Sequence, residues 1–384
     1  MMRVHLKGLA GALRRISTRN TRCFHNSAKK VAVIGSGNWG TTMARIIGSN
    51  VTRKPNLFQD EVQMYVYESV HEDGRRLSDI INTEHVNVKN LPGYVIPENV
   101  IANPDLVDSV KDADILVFNL PPMFLKKTCL KLKGNIKPDV LAISMIKGLD
   151  HSKKGFHLIS QQIKDILNIP DVSVMMGANI AEEVAKEMFS ESTIGSNSLE
   201  HGYIFKELLS MPYFKVHVIS DVESVEFCGA IKNVVAIGAG IIDGLGCRQY
   251  GDNTKAAIIR IGLEEAFEFS RAFLPDSRMS TFFESCGIAD FIVTCYGGKH
   301  RLAGEAFVKT GKPFKELESV VPELRFRKLP GPDTLEAVFK VVQDKKLEKK
   351  FPLVTVLHNI CFEGGSPSDI IEALQRHDEF PANL

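Results

Sequence analysis

Residues 31–48 read VAVIGSGNWGTTMARIIG. An apolar run suited to a buried strand ends in Gly35, Gly37 and Gly40, and a pattern with helical period follows at once. In such a strand–turn–helix each glycine has its own task. Gly35 permits the tight turn, Gly37 lets a pyrophosphate approach the backbone, and Gly40 lets the helix pack closely on the strand. The helix start directs its free N–H groups and positive dipole end at phosphates. The glycines alone are a weak signal. Their position between a strand and a helix is the context that makes them a dinucleotide fingerprint.

Working outward, short apolar strands alternate with helical stretches from Lys30 onward. After the first strand come VQMYVYES (62–69), DADILVFNLPP (112–122) and VLAISMIKG (140–148). VSVMMGANIAEEVA (172–185) and FKVHVISD (214–221) follow. This alternation predicts a parallel, doubly wound α/β sheet of Rossmann type. Past Asp221 the texture changes to long helical patterns such as SVEFCGAIKNVVAIGAGIIDGL and NTKAAIIRIGLEEAFEFSRAF. The expected organisation is a dinucleotide-binding domain over 30–217 and an all-α domain over 218–384.

The composition is that of an ordinary globular protein: 44% hydrophobic and 24% charged residues in a 384-residue chain. Lys+Arg of 47 against Asp+Glu of 46 leaves a net charge of +1, so no global basic excess favours nucleic acid. Seven scattered cysteines with no C-x-x-C pair suit reduced thiols rather than a disulfide framework or a zinc site. No apolar run reads as long enough for an integral membrane segment.

The first 29 residues form a separate segment. They carry Arg3, Lys7, Arg14, Arg15, Arg19 and Arg22 without one acidic residue, and Leu6, Leu9, Leu13 and Ile16 share a helical face. That pattern is expected of a mitochondrial transit peptide, with RCFHNS similar to a matrix-protease cleavage site. The other reading is a basic extension of a cytosolic enzyme.

At the end of the second strand, Glu68 stands where a carboxylate binds ribose hydroxyls and repels a 2′-phosphate, which favours NAD over NADP. A solvent-facing acid at a strand end is the alternative. Tyr67 and Phe124 are placed to flank an adenine ring, or else simply to pack. Lys232 lies in an apolar, small-residue helix, where desolvation lowers a lysine's pKa into the range useful for acid–base work. A snorkelling surface lysine is the competing reading. Lys147 follows the fourth strand, at the sheet end where ligands of open α/β sheets bind. Asp290 and Thr294 are one helical turn apart and can face one site. Lys299, His300 and Arg301 follow two glycines as a clamp for phosphate or carboxylate, or as a solvated basic loop.

Together these segments resemble the NAD-dependent glycerol-3-phosphate dehydrogenase family. The stretches that carry the resemblance are IGSGNWG, INTEHVNVKNLPG, MGANIA, CGAIKNVVAIGAG, DNTKAAIIR and ESCGIAD, and it runs from Lys30 to FPLVTVLHNICFEG. It implies interconversion of dihydroxyacetone phosphate plus NADH with sn-glycerol 3-phosphate plus NAD⁺, in a homodimer. Lys232 is implied as general acid/base, with Lys147 as a second lysine at the substrate oxygen. Asn233, Asp290 and Thr294 match substrate and lysine-orienting positions. Ser36, Asn38, Trp39, Ala181, Lys147, Lys299 and Lys328 fall at positions that touch the cofactor.

The chain also departs from the family pattern. Lys299-His300 replaces the usual Arg-Asn, so a point charge replaces a bidentate fork. Pro330 replaces a glutamine near the cofactor. DGLGCRQYGDN is a longer loop, and NLPPMF a less polar turn. These departures keep a second expectation alongside the active enzyme: a regulatory paralogue that binds NAD with weak or lost turnover.

Overall fold

The computed structural model describes residues 27–152, 155–246, 251–274, 276–324 and 329–376. Nearly all of the expected leader, and Lys328, lie outside the described residues. Eight strands form the main sheet: β1 (Lys29–Ile34), β2 (Phe58–Tyr65), β3 (Val100–Asn103), β4 (Ile115–Phe118), β5 (Leu141–Ser144), β6 (Val172–Met176), β7 (Ser190–Gly195) and β8 (Phe214–Ile219). Their spatial order is β3-β2-β1-β4-β5-β6-β7-β8.

Alternate residues of β1 serve opposite faces. Val31 and Val33 enter one apolar cluster, while Ala32 and Ile34 enter another. Both faces are therefore dry, as a doubly wound sheet requires. The chain order reverses between β1 and β4, which opens a crevice at their carboxyl ends.

The sheet is not parallel throughout. β6 and β7 pair antiparallel, with Val174 opposite Gly195. Their connection carries only a five-residue helix, Ala181–Ala185, and returns the chain in the opposite sense. Strands β3 and β7 are also additions to the sequence reading. Ser192 and Thr193 are buried in β7, with the Ser192 hydroxyl donating to the Met176 carbonyl at 3.0 Å, so the polar residues that obscure this strand are satisfied inside the sheet.

The helices used below are α1 (Asn38–Arg53), α2 (Pro122–Leu132), α3 (Ile159–Leu167), α4 (Leu199–Leu209), α5 (Val222–Leu245), α6 (Asp252–Phe273), α7 (Asp290–Gly297), α8 (Lys299–Thr310), α9 (Pro330–Asp344) and α10 (Pro352–Phe362). α4 makes the crossover that keeps β7 and β8 parallel. The last strand ends at Ile219, and α5 begins three residues later.

α5 is the axis of the helical domain. Asp221 caps it by accepting from the Ser224 N–H at 3.1 Å, and its other oxygen takes the Thr281 hydroxyl at 2.6 Å. By length and composition α5 is long and apolar enough to cross a bilayer, which corrects the sequence reading. Its most apolar window is nonetheless wholly buried within the protein. It shares one core with Val174 and Met176 of β6, so the sheet and the helical domain are joined by continuous apolar packing. α8 crosses α5 closely: a Cβ on Gly304 would stand 2.2 Å from the Ile237 carbonyl oxygen.

Two buried glutamates cap helix starts from a distance. Glu226 of α5 accepts from the Ser160 N–H of α3 at 3.1 Å and also takes the Ser160 hydroxyl. Glu265 of α6 accepts the Leu353 and Val354 N–H groups of α10 at 2.7 and 3.0 Å. Burial raises the Glu265 carboxyl from 4.5 to about 8, against the opposing pull of those two N–H groups. Its folded form thus holds a proton that the unfolded chain releases. Stability from this group is present below about 4.5 and is lost as the pH rises to about 8. Urea unfolding between pH 5 and 8 is expected to show a flatter pH dependence for Glu265→Gln than for the wild type. Glu265→Ala, which strands two buried donors, is expected to cost about 2–4 kcal/mol. Identical slopes in wild type and the Gln variant would remove Glu265 from this role.

Candidate active site

The glycine turn leaves β1 at the crevice. Gly35 has φ +117°, and a Cβ there would lie 2.4 Å from the Asn119 carbonyl oxygen at the end of β4. Gly40 is blocked in the same way by the Gly35 carbonyl oxygen at 2.2 Å. Gly37 differs. Its Cβ would meet no heavy atom within 4 Å, and Gly37 and Asn38 are exposed at the start of α1, which has no side-chain cap. The turn therefore offers free N–H donors and open space at one point, the fit a pyrophosphate needs.

The turn is held from outside. The Ser36 carbonyl accepts from the Thr41 hydroxyl at 3.0 Å, from Asn87 Nδ2 at 2.9 Å and from Asn90 Nδ2 at 3.0 Å. The two asparagines come from INTEHVNVKNLPG and had no assigned task. Two asparagines three residues apart, one just before and one at the end of the turn at 88–90, are the available signal.

Other expected cofactor residues are distributed unevenly. Tyr67 and Phe124 are exposed, Tyr67 just past the carboxyl end of β2 and Phe124 in the first turn of α2, the helix that follows β4. Trp39 is half-buried and packs edge-on against Phe214 at 6.1 Å, so its ring serves the core. Ala181 and Asn38 each accept the Thr42 hydroxyl through a backbone carbonyl, at 3.3 and 2.9 Å. Glu68 binds its own chain: its carboxylate accepts the Ser69 N–H at 3.1 Å and also takes the Ser78 hydroxyl. Burial acts to raise its pKa, but the hydrogen bonds from Ser78 and Ser69 outweigh that and hold it below the usual range.

Across the crevice, one carboxylate gathers two ammonium groups. Asp290 Oδ1 pairs with Lys232 Nζ, and Oδ2 lies 3.1 Å from Lys147 Nζ. The Thr294 hydroxyl donates to Oδ1 at 3.3 Å, and Lys147 also donates to the Gly177 carbonyl at 3.2 Å. Lys232 and Asp290 are buried, while Lys147 keeps 29% of its side chain accessible. Burial lowers the Lys232 pKa from 10.5 to about 7, helped by the Lys147 charge and opposed by Asp290. A group so poised can give or take a proton near neutrality.

ESCGIAD explains how Asp290 arrives there. Residues Ser285–Ala289 form a π turn broken at Gly287, where a Cβ would sit 2.2 Å from the Phe282 carbonyl oxygen. The Ser285 hydroxyl donates to the Glu191 carbonyl at 2.7 Å, and the Cys286 N–H donates to the Thr193 hydroxyl at 3.3 Å. These contacts pin the turn to the sheet edge, and α7 then starts with Asp290 aimed inward. Asn233, next to Lys232 and also buried, has no side-chain hydrogen-bond partner among the described residues.

The basic cluster does not act as three equal cations. Lys299 is half-buried at the first position of α8, behind Gly298 and with no side-chain cap. Arg301 is engaged with Asp243 at 3.0 Å and Glu305 at 2.7 Å. His300 is buried and accepts the Gly331 N–H through Nε2 at 3.1 Å. Burial and the nearby Lys299 and Lys232 charges hold its pKa well below 6.5. Arg301 and His300 are thus engaged within the protein, and Lys299 stands at the start of α8. Pro330 occupies the first turn of α9, where a missing N–H costs nothing.

A Rossmann crevice facing a buried lysine–aspartate pair on a helical domain is the layout of a two-domain nucleotide-dependent dehydrogenase. Residues 30–201 match the NAD-dependent glycerol-3-phosphate dehydrogenase N-terminus and residues 221–372 its C-terminus. The chain is 51% identical to the glycerol-3-phosphate dehydrogenase 1-like protein of Xenopus tropicalis over 91% of its own length and 97% of that protein. It is 48% identical to the cytoplasmic NAD⁺ glycerol-3-phosphate dehydrogenase of Bos taurus, covering 92% and 99%. The glycerol-3-phosphate dehydrogenase structure from Saccharomyces cerevisiae superposes with a TM-score of 0.84 at 40% identity, over 91% of this chain and 99% of that one. The chain belongs to the NAD-dependent glycerol-3-phosphate dehydrogenase family.

The geometry separates two roles among the turn glycines. Gly37→Ala has room for its methyl and an ordinary backbone conformation, so its melting temperature is expected to match the wild type. Its NADH affinity is expected to fall about tenfold or more, a loss of about 1.4 kcal/mol at least. Gly40→Ala forces a clash and is expected to lower the melting temperature as well. Calorimetric titration with NADH checks both, and unchanged binding by Gly37→Ala would place the phosphates elsewhere.

Proposed function

We propose that this chain interconverts dihydroxyacetone phosphate and sn-glycerol 3-phosphate with NAD as cofactor, using Lys232 as the acid–base group. The observation that carries this reading is the single carboxylate of Asp290 holding both Lys232 and Lys147 beside a dinucleotide crevice. The bound dinucleotide supplies or accepts the hydride. The chain's own residues handle the proton and the charge. As the substrate ketone gains alkoxide character, the Lys232 ammonium stabilises it and delivers a proton, with Lys147 as a second positive charge at that oxygen. Asp290 and Thr294 keep Lys232 oriented. Asn233 offers its amide to the substrate, and Lys299 with the N–H groups at the start of α8 holds the phosphate. In the oxidative direction, neutral Lys232 takes the hydroxyl proton.

NADH oxidation by the purified protein, with dihydroxyacetone phosphate set against dihydroxyacetone, tests the assignment. Turnover confined to the phosphorylated ketone is expected. Tight NADH binding without turnover would instead favour the regulatory reading. Lys232→Ala is expected to lose about 10²–10⁴-fold in kcat with little change in NADH affinity. Because burial lowers the Lys232 pKa from 10.5 toward neutrality, ketone reduction is expected to fall as the pH rises through the neutral range, and alcohol oxidation to rise.

The proposal extends to a homodimer. On α7 and the turn before it, Ile288, Ile292 and Tyr296 are exposed at helical spacing, on the side opposite Asp290 and Thr294. Ile292→Glu is expected to shift the mass measured by light scattering from dimer to monomer. For location, we propose the mitochondrial matrix, on the basic, acid-free residues 1–29. A reporter fused to this segment is expected in the matrix, and a cytosolic reporter would reject the targeting role.

A further inference from the structure

We propose that His300 is a positioning residue, which caps the start of α9 across space and so fixes the end of α8 on which Lys299 stands. The proposal rests on the reading of α8 as the substrate-phosphate helix.

The first-turn N–H groups of a helix lack partners within the helix. In α9 the residue before the helix is Leu329, which has no polar side chain, and Pro330 has no N–H to satisfy. The next residue, Gly331, still needs an acceptor, and His300 Nε2 provides it at 3.1 Å. A ring nitrogen that accepts carries no hydrogen, so the neutral tautomer with its proton on Nδ1 is required. Burial of the ring, only 2% exposed, excludes water from competing for Gly331.

The corner is closely fitted. A Cβ on Gly331 would stand 2.6 Å from His300 Cδ2 and 3.2 Å from Ile237 Cδ1. Only glycine lets the backbone come this near to the ring and to α5 at once. Pro330, meanwhile, presets the helical backbone of the first turn. The two departures that the sequence presents separately, His300 in the basic pair and Pro330 thirty positions later, are therefore two sides of one contact. Proline starts the helix, glycine makes room, and histidine supplies the acceptor. Lys299 precedes His300 directly, so whatever anchors the ring also sets where that ammonium stands. α8 in turn packs backbone to backbone on α5, the helix that carries Lys232.

Three proteins are compared: wild type, His300→Ala and His300→Gln, whose amide oxygen can accept the same N–H. Each is assayed for kcat and KM with dihydroxyacetone phosphate, and for hydrogen exchange at the Gly331 amide. The Ala variant is expected to raise KM about tenfold with kcat within about twofold, the signature of lost uniform binding. It is also expected to speed Gly331 exchange, and Gln is expected to restore both. Unchanged KM and exchange in the Ala variant would overturn the proposal. So would a Gln variant that restores Gly331 protection but not KM, since the ring would then be contacting substrate itself. Should the Ala variant fail to fold, the Gln variant alone decides, because near-wild-type KM and Gly331 protection are required of it. A wild type without turnover would refute the enzymatic reading, while Gly331 exchange would still judge the cap.

Discussion

One carboxylate shared by two ammonium groups is the constraint around which the molecule is arranged. Lys232 and Lys147 come from different domains, and without Asp290 between them their charges would meet across a poorly solvated space. Removing one partner of a buried pair typically costs about 3–5 kcal/mol, because the other charge is left uncompensated. Asp290 therefore has to be placed to within a hydrogen bond. The broken π turn, the glycine at its kink and the hydrogen bonds from the Ser285 hydroxyl and the Cys286 N–H to β7 all serve that placement.

The cofactor side obeys the same rule of fixing a polar element from several directions. Three donors converge on the Ser36 carbonyl, so the turn is rigid before any ligand arrives. Both halves of the site rest on one edge of one sheet. β1 ends at the glycine turn, Asn119 follows β4 beneath it, Lys147 follows β5, and Gly177 follows β6. The apolar joint between β6 and α5 then holds the acid–base pair in register with the crevice. A hinge of polar contacts alone would leave that register loose, whereas continuous packing does not.

What was legible in the sequence was mainly local. The buried run of β1, the three glycines and the lysine inside an apolar helix declare themselves within a few residues, because their signal is a pattern along the chain. β7 was not legible, since its buried serine and threonine break the alternation that marks a strand and are satisfied only by its neighbours. The apolarity of α5 is spread over a helix interrupted by Glu223, Glu226, Lys232 and Asp243, so it is the run as a whole and not any short stretch that reaches membrane length. Glu68 stands after β2 as the sequence reading has it, and the hydrogen bond from Ser78 that holds its carboxylate comes from ten residues further on. Asn87 and Asn90 act on a carbonyl more than fifty positions back. In each case the deciding partner is distant in sequence, and no spacing rule reaches it.

The basic cluster shows why charge counted along a chain is a poor measure of charge delivered to a ligand. Arg301 is neutralised by Asp243 and Glu305, and Asp243 also holds Lys255 at 2.7 Å. His300 is kept neutral by the same burial that makes it useful as an acceptor. Lys299 stands at the start of α8, beside the helix end. A lysine there is a flexible point charge, so orientation must come from the backbone donors and strength from the ammonium. The same economy operates at Lys232, where burial and a second ammonium lower the pKa and one carboxylate raises it. A poised lysine is thus a property of three residues on three separate segments, with the packing that holds them together doing as much as the lysine's own chemistry.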